Sequence, residues 1–130
     1  MEDFTVTQNG KPLNENQYTW NKSTKTFSST ENNLVLDFSD VGNCTFNTGY
    51  SCIFKTGVDC TFDTGSNCTF KTGADCIFKT GSDCIFKTGA DCVVVRRDIF
   101  EVIELEKYVK IKLNDYRIKG YTVIEDLKIY

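Results

Sequence analysis

An eight-residue unit occurs six times in succession in the middle of this 130-residue chain, and each copy begins with a cysteine. In register the copies read CTFNTGYS, CIFKTGVD, CTFDTGSN, CTFKTGAD, CIFKTGSD and CIFKTGAD, from residue 44 to residue 91. A short fixed period sustained in this way is typical of a solenoid or β-helix, in which each repeat stacks on its neighbours. The period is too short, and too rich in Phe, Ile, Thr and Gly, for helices, so the sequence predicts an all-β fold.

Each octad has the pattern of a half-buried strand followed by a corner. The first and third positions, Cys and Phe, are two residues apart and project to one face, while the second and fourth positions project to the other. Gly at the sixth position permits a positive φ, and the Asp or Asn that mostly fills the eighth tolerates a left-handed conformation. The predicted core residues are Cys44, Phe46, Cys52, Phe54, Cys60, Phe62, Cys68, Phe70, Cys76, Phe78, Cys84, Phe86 and Cys92, and the predicted corner glycines are Gly49, Gly57, Gly65, Gly73, Gly81 and Gly89.

Two arrangements bury these side chains. In the preferred one, two octads form a flattened sixteen-residue coil within one chain, so that alternate octads stack about 4.8 Å apart in two opposed sheets. We then expect a Phe of one sheet to face a Cys of the other, and Lys55, Lys71 and Lys87 to form a ladder on one outer face. In the alternative, three chains wind into a triangular prism with the Phe rings on a shared axis, which would make the protein a homotrimer.

Degenerate repeats flank the octads. Before them, "LDFSDVGN" places Leu36 in the Cys slot and Phe38 in the Phe slot; after them, Cys92 is followed by Val94 in the Phe slot. Arg96 and Arg97 then replace Thr-Gly, which predicts that Val94, Arg96 and Arg97 terminate the stack. The sequence thus predicts an N-terminal β-hairpin region over 1–35, a solenoid over 36–98 and a C-terminal β element for docking or oligomerisation over 99–130.

Turn signals support strands in both flanks. Asn9-Gly10 and the segment "NKST" each lie between short alternating stretches, which predicts N-terminal hairpins. In the C-terminal flank, "YVKIKL" alternates strongly, and Asn114-Asp115 and Gly120 mark turns. For residues 99–107 both strand and helix remain open.

Charge and composition exclude several classes of function. The chain has 15 Lys and Arg, 18 Asp and Glu and no His, with no basic segment of the kind that binds nucleic acid. The start of the sequence lacks the pattern of a signal peptide, and no apolar run approaches the ~20 residues of a membrane helix. We therefore expect synthesis in the cytoplasm and no membrane association.

The cysteine spacing argues against a metal site. Zinc sites use cysteines two to four residues apart, or add His, whereas the seven cysteines here are eight apart. We expect buried core thiols; disulfides between stacked cysteines remain an alternative in an oxidising setting. The carboxylates fall mostly at corners, with no convergent cluster, so we predict no catalytic residues, no cofactor and no enzymatic activity. For the Arg96-Arg97 pair, an anion clamp is the alternative to stack termination.

The segments "DCIFKTGSDCIFKTGADCVVVRRDIFEVI", "IKLNDYRIKGY", "QYTWNKSTKTFSS" and "LVLDFSD" resemble octapeptide-repeat β-solenoid proteins encoded by tailed phages and large DNA viruses. The resemblance spans most of the chain and implies a virus-encoded protein. We therefore expect a non-enzymatic structural protein of the virion, such as a head fibre, a decoration protein or a part of a tail fibre, with other virion proteins as partners. The alternative is a virus-encoded binding module that recognises a host protein or glycan through its sheet faces.

Overall fold

The structure is a computed structural model, and it describes residues 4–39, 41–107 and 109–126 of the chain. Within these residues it contains β-strands and one single-turn 3-10 helix. The predicted all-β solenoid, with N-terminal hairpins and C-terminal strands, is confirmed.

The N-terminal region forms two hairpins. Asn9 and Gly10 both have positive φ, 53° and 81°, as a tight two-residue hairpin turn requires. The second hairpin turns through residues 22–25, and a 3-10 helix lies between the two hairpins. The elements are β1 (Thr5–Gln8), β2 (Lys11–Pro12), the 3-10 helix (Glu15–Gln17), β3 (Thr19–Asn21) and β4 (Thr26–Ser28).

One strand precedes the octads, each octad contributes one strand, and Cys92 begins the strand that follows them. Alternation of inward and outward side chains within each strand gives the burial pattern that the sequence predicts. The strands are β5 (Leu34–Phe38), β6 (Thr45–Asn47), β7 (Ile53–Thr56), β8 (Thr61–Asp63), β9 (Thr69–Lys71), β10 (Ile77–Thr80), β11 (Ile85–Lys87) and β12 (Cys92–Arg96).

The C-terminal element is also made of strands. The sequence is compatible with either a strand or a helix over residues 99–107, and residues 101–105 form a strand. The alternating segment around Ile111 forms another, and the turn signals at Asn114 and Gly120 lie between the last two. The strands are β13 (Glu101–Leu105), β14 (Val109–Leu113) and β15 (Tyr121–Asp126).

Two opposed sheets form the stack. One has the order β15-β14-β11-β9-β7-β5-β1-β2 and the other β13-β12-β10-β8-β6-β4-β3. Parallel partners in the octads are sixteen residues apart, as in Phe46 with Phe62 and Phe54 with Phe70. The single-chain coil of two octads is therefore the arrangement found, and the trimeric prism is not.

Antiparallel strands cap both ends of the parallel stack. At the N-terminal end β1 pairs with β5 and β3 pairs with β4. At the C-terminal end β13 pairs with β12, β14 with β11 and β15 with β14. The chain thus leaves the solenoid by reversing direction in each sheet.

The register before the octads differs from the prediction by two residues. Leu36 pairs with Phe54 and Phe38 with Thr56, so Leu36 occupies the Phe slot and Phe38 the Thr slot. Counting eight back from Cys44 was wrong because the corner after β5 is two residues longer than an octad corner. The same faces remain buried, since a shift of two preserves strand alternation. Parallel pairing also extends back to β4, where Phe27 lies beside Phe46.

The packing across the interior also differs from the prediction. Phe rings of the two sheets face each other and not cysteines: Phe54 and Phe62 are 5.2 Å apart between centroids at 78°. Each strand has a third inward residue, the Thr at position five, and the opposed strands run in opposite directions. The central Phe therefore meets a central Phe, while a Cys is placed near a Thr.

Candidate functional site

The predicted core residues lie on the axis of the stack. Every Cys and Phe of the octads is at most 1 % exposed, as are Cys92 and Val94. Within a sheet the rings stack face to face, as for Phe54 and Phe70 at 5.0 Å and 5°. Across the sheets they meet edge to face, as for Phe62 and Phe70 at 5.1 Å and 74°. Both geometries are favourable for aromatic pairs, so the rings form one continuous apolar column.

The cysteines are seven free, buried thiols. The Sγ of Cys68 lies 3.7 Å from the carbonyl oxygens of Gly49 and Ser66, to which it can donate. The same sulfur accepts the backbone N–H of Cys52, one coil below, at 3.4 Å. Cys68 therefore fills a small apolar space and also joins consecutive coils at the corners, and Cys76, Cys84 and Cys92 make the corresponding contacts to the Gly57, Gly65 and Gly73 carbonyl oxygens.

Their surroundings make these thiols poor nucleophiles. Burial raises the pKa of the Cys44 thiol. The neighbouring Cys68 sulfur, and then burial, raise the pKa of Cys52, and Cys76 and burial do the same for Cys92. Hydrogen bonding to the neighbouring cysteine lowers the pKa of Cys60 and Cys84, although burial opposes that shift. All seven thiols are closed off from solvent, and buried structural cysteines are unreactive because reactants do not reach them.

The corner glycines have a different purpose from the predicted one. Positive φ values of 56° to 59° occur at the eighth position of the octads, as at Asp59 and Asp75, and none of the sixth-position glycines has a positive φ. A Cβ on Gly89 would lie 2.7 Å from the backbone nitrogen of Ala74, and one on Gly73 would lie 2.8 Å from Val58. Glycine is needed because consecutive corners touch.

Arg96 occupies the slot that Thr fills in the octads, and it is fully buried. It pairs with Thr80 in register and sends its guanidinium toward the C-terminal turns. Its Nη2 lies 2.7 Å from the Asp98 carboxylate and 3.1 Å from the Asp115 carbonyl oxygen, and Nη1 donates to the Ile118 carbonyl at 2.5 Å. This side chain ties the last coil to the C-terminal strands.

Two carboxylates, those of Asp98 and Glu101, lie near the buried guanidinium of Arg96. Glu101 Oε1 lies 3.8 Å from Arg96 Nη1 and also accepts the backbone N–H of Gly120. Burial raises the pKa of Asp98, but hydrogen bonds from Arg96 and from the Arg117 backbone outweigh it, and the pKa is lowered overall. Asp98 is therefore ionised opposite a buried cation at neutral pH.

Arg97 points the other way. Its side chain is exposed and contacts the Asp63 carboxylate and the Thr64 carbonyl on the outside of the stack. Arg96, the last residue of β12, and Arg97, which follows it, thus point to opposite sides, and each has its own carboxylate. They form no joint clamp for an anion.

The outer face of the longer sheet carries the predicted lysine ladder. Lys55, Lys71 and Lys87 are paired in register on successive coils, with Asp37 paired to Lys55 at one end. Ile53, 45 % exposed, lies in the neighbouring outward row. This row alternates Ile and Thr, so the face combines a line of cations with apolar patches.

The aromatic residues of the N-terminal region serve packing. Trp20 lies edge-on to Phe4 at 4.9 Å and is 5.8 Å from Phe38, so it is part of the N-terminal cap. Phe27, which sequence reasoning did not place in the core, is fully buried beside Phe46. Phe27 follows "NKSTKT" and lies outside the eight-residue repeat, so the repeat does not mark it as a core residue. The alternation of the second hairpin is the signal that could have placed its side chain inward.

Residues 4–39, 41–107 and 109–126 contain no group of three or more His, Cys, Asp or Glu side chains placed to hold a metal ion. In the same part of the chain no helix is long and apolar enough to span a membrane. Comparison with known proteins finds no matching protein-family model, no matching curated protein and no matching solved structure.

Proposed function

We propose that the chain is a non-enzymatic structural protein in which the octads form a rigid spacer and the two capped ends attach to partners. The observation that carries this proposal is the continuous aromatic column, in which each inner Phe ring contacts rings above, below and across. Phe70, for example, lies within 5.1 Å of the centroids of Phe54, Phe62, Phe78 and Phe86. An interior packed this closely resists bending, because neighbouring rings have no space into which to move.

The placement of reactive groups supports a role without catalysis. The thiols are buried away from solvent, Arg96 is bound within the cap, and the corner carboxylates such as Asp59 and Asp75 are spread along an exposed edge. General acid–base or nucleophilic catalysis needs such groups to converge at one pocket.

The virion location is the finer part of the proposal. It rests on the resemblance of the octads and of both flanks to repeat proteins of tailed phages and large DNA viruses. A short, stiff spacer suits a head fibre, a decoration protein or a segment of a tail fibre. The partners would be other virion proteins, or further copies of the chain.

Purified virus particles test this location. Antibody raised against the folded chain should label intact particles of the virus that encodes it, and the chain should appear in particle protein in stoichiometric amounts. Labelling that is lost on washing, together with a chain found only in infected-cell lysate, would reject the virion role.

A second candidate is a binding module that uses the lysine-bearing face to recognise a host protein or glycan. The observation that favours it is the in-register row of Lys55, Lys71 and Lys87, because like charges placed opposite each other in a sheet are mildly unfavourable and an anionic partner would stabilise them. The double variant Lys55→Glu/Lys71→Glu should lose capture of a host component, whereas Lys22→Glu, in the exposed hairpin turn, should retain it. Equal capture by both variants would remove this face as the binding surface.

A further inference from the structure

The two ends of the stack are finished differently. At the N-terminal end the outermost strand, β2, is only Lys11–Pro12, and Leu13 beyond it is buried. Lys and Pro on a very short edge strand are common devices that prevent pairing with another chain. Pro12 is the one proline in the sequence. The N-terminal edge of the longer sheet is therefore protected, and the other sheet ends there in β3, which has only three residues.

The edge strands at the C-terminal end are longer and have no proline, although β13 carries Glu101 and Glu104 and the pairing of β14 with β15 has a register shift between Lys110 and Ile111. The two edge strands are β13, with five residues, and β15, with six. In both sheets these strands are the last in the order, so within the described residues one edge of each has no strand partner. Long edges with β-branched and aromatic residues are the type that pairs with a further strand.

Apolar side chains are exposed at the same end. Val102 on β13 is 64 % exposed, and Tyr121 and Val123 on β15 are 46 % and 52 % exposed. Tyr121 and Val123 pair with Leu113 and Ile111, both of which are buried, so they continue the inward side of β14 past the end of the core. The core is thus left partly open at this end.

Phe100 adds a second anomaly. It is the most exposed large apolar side chain described, at 87 %, and its φ is 54°. A bulky residue in the left-handed region is strained, and Asn or Gly would be preferred there. Neither the solvent contact nor the strain benefits the single chain.

The two edges are suited to one symmetric partner. β13 is antiparallel to β12 and β15 is antiparallel to β14, which itself is antiparallel to β11. β11 and β12 lie on opposite sides of a coil and therefore run in opposite directions. One reversal leads from β12 to β13 and two lead from β11 to β15, so β13 and β15 run in the same direction. The hydrogen bonds from the Gly120 N–H to the Glu101 carboxylate, at 3.0 and 3.1 Å, place the starts of both strands at the same side.

Charges differ between the two sides of this end. At the starts of the strands the exposed cations Arg117 and Lys119 lie on the turn before β15. Of the carboxylates there, Asp115 lies in the same turn and Glu101 is held by Arg96 and the Gly120 N–H. At the end of β13, Glu104 and the exposed Glu106 outnumber Lys107. An antiparallel pairing between two copies would therefore bring the basic turn of each chain to the acidic side of the other, whereas a parallel pairing would bring like charges together.

We propose that two copies of this chain join through their C-terminal ends about a two-fold axis perpendicular to both sheets, with β13 antiparallel to the partner's β13 and β15 antiparallel to the partner's β15. This single two-fold rotation pairs the β13 edge and the β15 edge with their counterparts in the partner, and it covers Tyr121 and Val123. It also carries Phe100 toward the end of the partner's β13, where Leu105 is partly exposed. This proposal concerns the chain itself and does not depend on the virion role.

Sedimentation equilibrium across a dilution series, with reductant present, tests the interface. We expect a mass of twice 14.8 kDa that dissociates on dilution. The variant Arg117→Glu/Lys119→Glu should weaken association at least tenfold, and Glu104→Lys/Glu106→Lys should do the same. An equimolar mixture of the two variants should recover the association as a heterodimer, which simple misfolding would not produce.

Two further variants separate the interface from the fold. Lys11→Glu, at the protected N-terminal edge, should leave the dimer unchanged. Phe100→Gly should raise the melting temperature of the dilute monomer, because it removes backbone strain, and at the same time weaken the dimer. A wild-type chain that stays monomeric to millimolar concentration, a trimer, or a dimer broken by Lys11→Glu but not by Arg117→Glu/Lys119→Glu would each overturn the proposal.

Discussion

At the residue scale, the stability of the stack depends on the central inward position of each strand. An inner Phe contacts two rings of its own sheet and two of the opposed sheet, so its removal leaves a space that no single neighbour can fill. The Cys and Thr positions lie nearer the corners and are smaller. The Phe position should therefore be the most sensitive one in the octad.

Replacing Phe70 by Ala should destabilise the protein by about 3–5 kcal/mol, through lost burial and the cavity left behind. Tyr50→Ala is the matched control, since Tyr50 is in an octad but is 53 % exposed. Urea unfolding measures both variants. A midpoint for Phe70→Ala equal to that of the control would mean that the ring does not lie in the interior.

The corner glycines should be sensitive for steric reasons. In Gly89→Ala the new Cβ would meet the backbone of Ala74 and Gly73 at 2.7 and 2.9 Å, so consecutive corners must separate. Gly10→Ala has no atom within 4 Å and meets only the cost of a positive φ, roughly 1–2 kcal/mol. We expect the larger loss of thermal stability for Gly89→Ala; the opposite order would mean that corner contact does not select glycine.

The sequence predicts which residues face inward because strand alternation is a property of one octad. It does not predict why position six is glycine, because the contact that requires glycine is made between corners of different coils, such as Gly89 and Ala74. The Phe-to-Phe packing was missed for a related reason. Thr48 and its equivalents at position five are the third inward residue of each octad, and they decide what lies opposite the Phe once two strands run in opposite directions.

At the element scale, the C-terminal cap depends on a cation placed inside the stack. Arg96 extends the row of inward threonines but links β12 to the turns before β13 and β15. A buried charge is costly unless its partners are present. The cap should therefore be ordered only when the Asp98 carboxylate, which pairs with Arg96, is ionised.

Asp98→Asn should therefore cost about 2 kcal/mol at pH 7, the usual value for a hydrogen bond to a charged group. The folded-state pKa of Asp98 is lowered, so its stabilisation is complete above the unfolded pKa of about 3.9 and is lost as the pH falls through the lower folded value. The difference in unfolding free energy between wild type and Asp98→Asn should shrink toward zero once the pH lies below the lowered folded-state pKa of Asp98. A difference that is constant with pH would contradict this account.

Strands at both ends follow from local turn chemistry, and the sequence locates them well. Asn9-Gly10 and the Asn114–Gly120 region mark the hairpins correctly. The register of β5 was not predictable in the same way, since Leu34, Leu36 and Phe38 are all inward and any shift by two residues satisfies the pattern. The slot that each inward residue of β5 occupies is fixed only by the length of the corner after β5, and that length differs from the length of the octad corners.

At the scale of the whole molecule, stability should be a sum over coils and their contacts, as in other repeat proteins. Deleting residues 60–75 removes one full coil and joins Asp59 to Cys76 with every slot preserved. Deleting residues 60–71 removes less of the chain but leaves a remnant without Cys or Phe. We expect the longer deletion to unfold cooperatively at a higher temperature than the shorter one, by circular dichroism. The reverse order would mean that the octad is not the unit of folding.

The half-coil repeat also relates the two ends of the molecule to each other. One octad crosses the stack once, so adding or losing a single octad would turn the C-terminal cap by half a revolution about the long axis relative to the N-terminal cap. Two octads would restore the original orientation and change only the length. A gene that lengthens by duplication would thus obey a parity rule. Adding an even number of octads changes only the distance between the two attachment points, whereas adding an odd number also reverses the side to which the second attachment point faces.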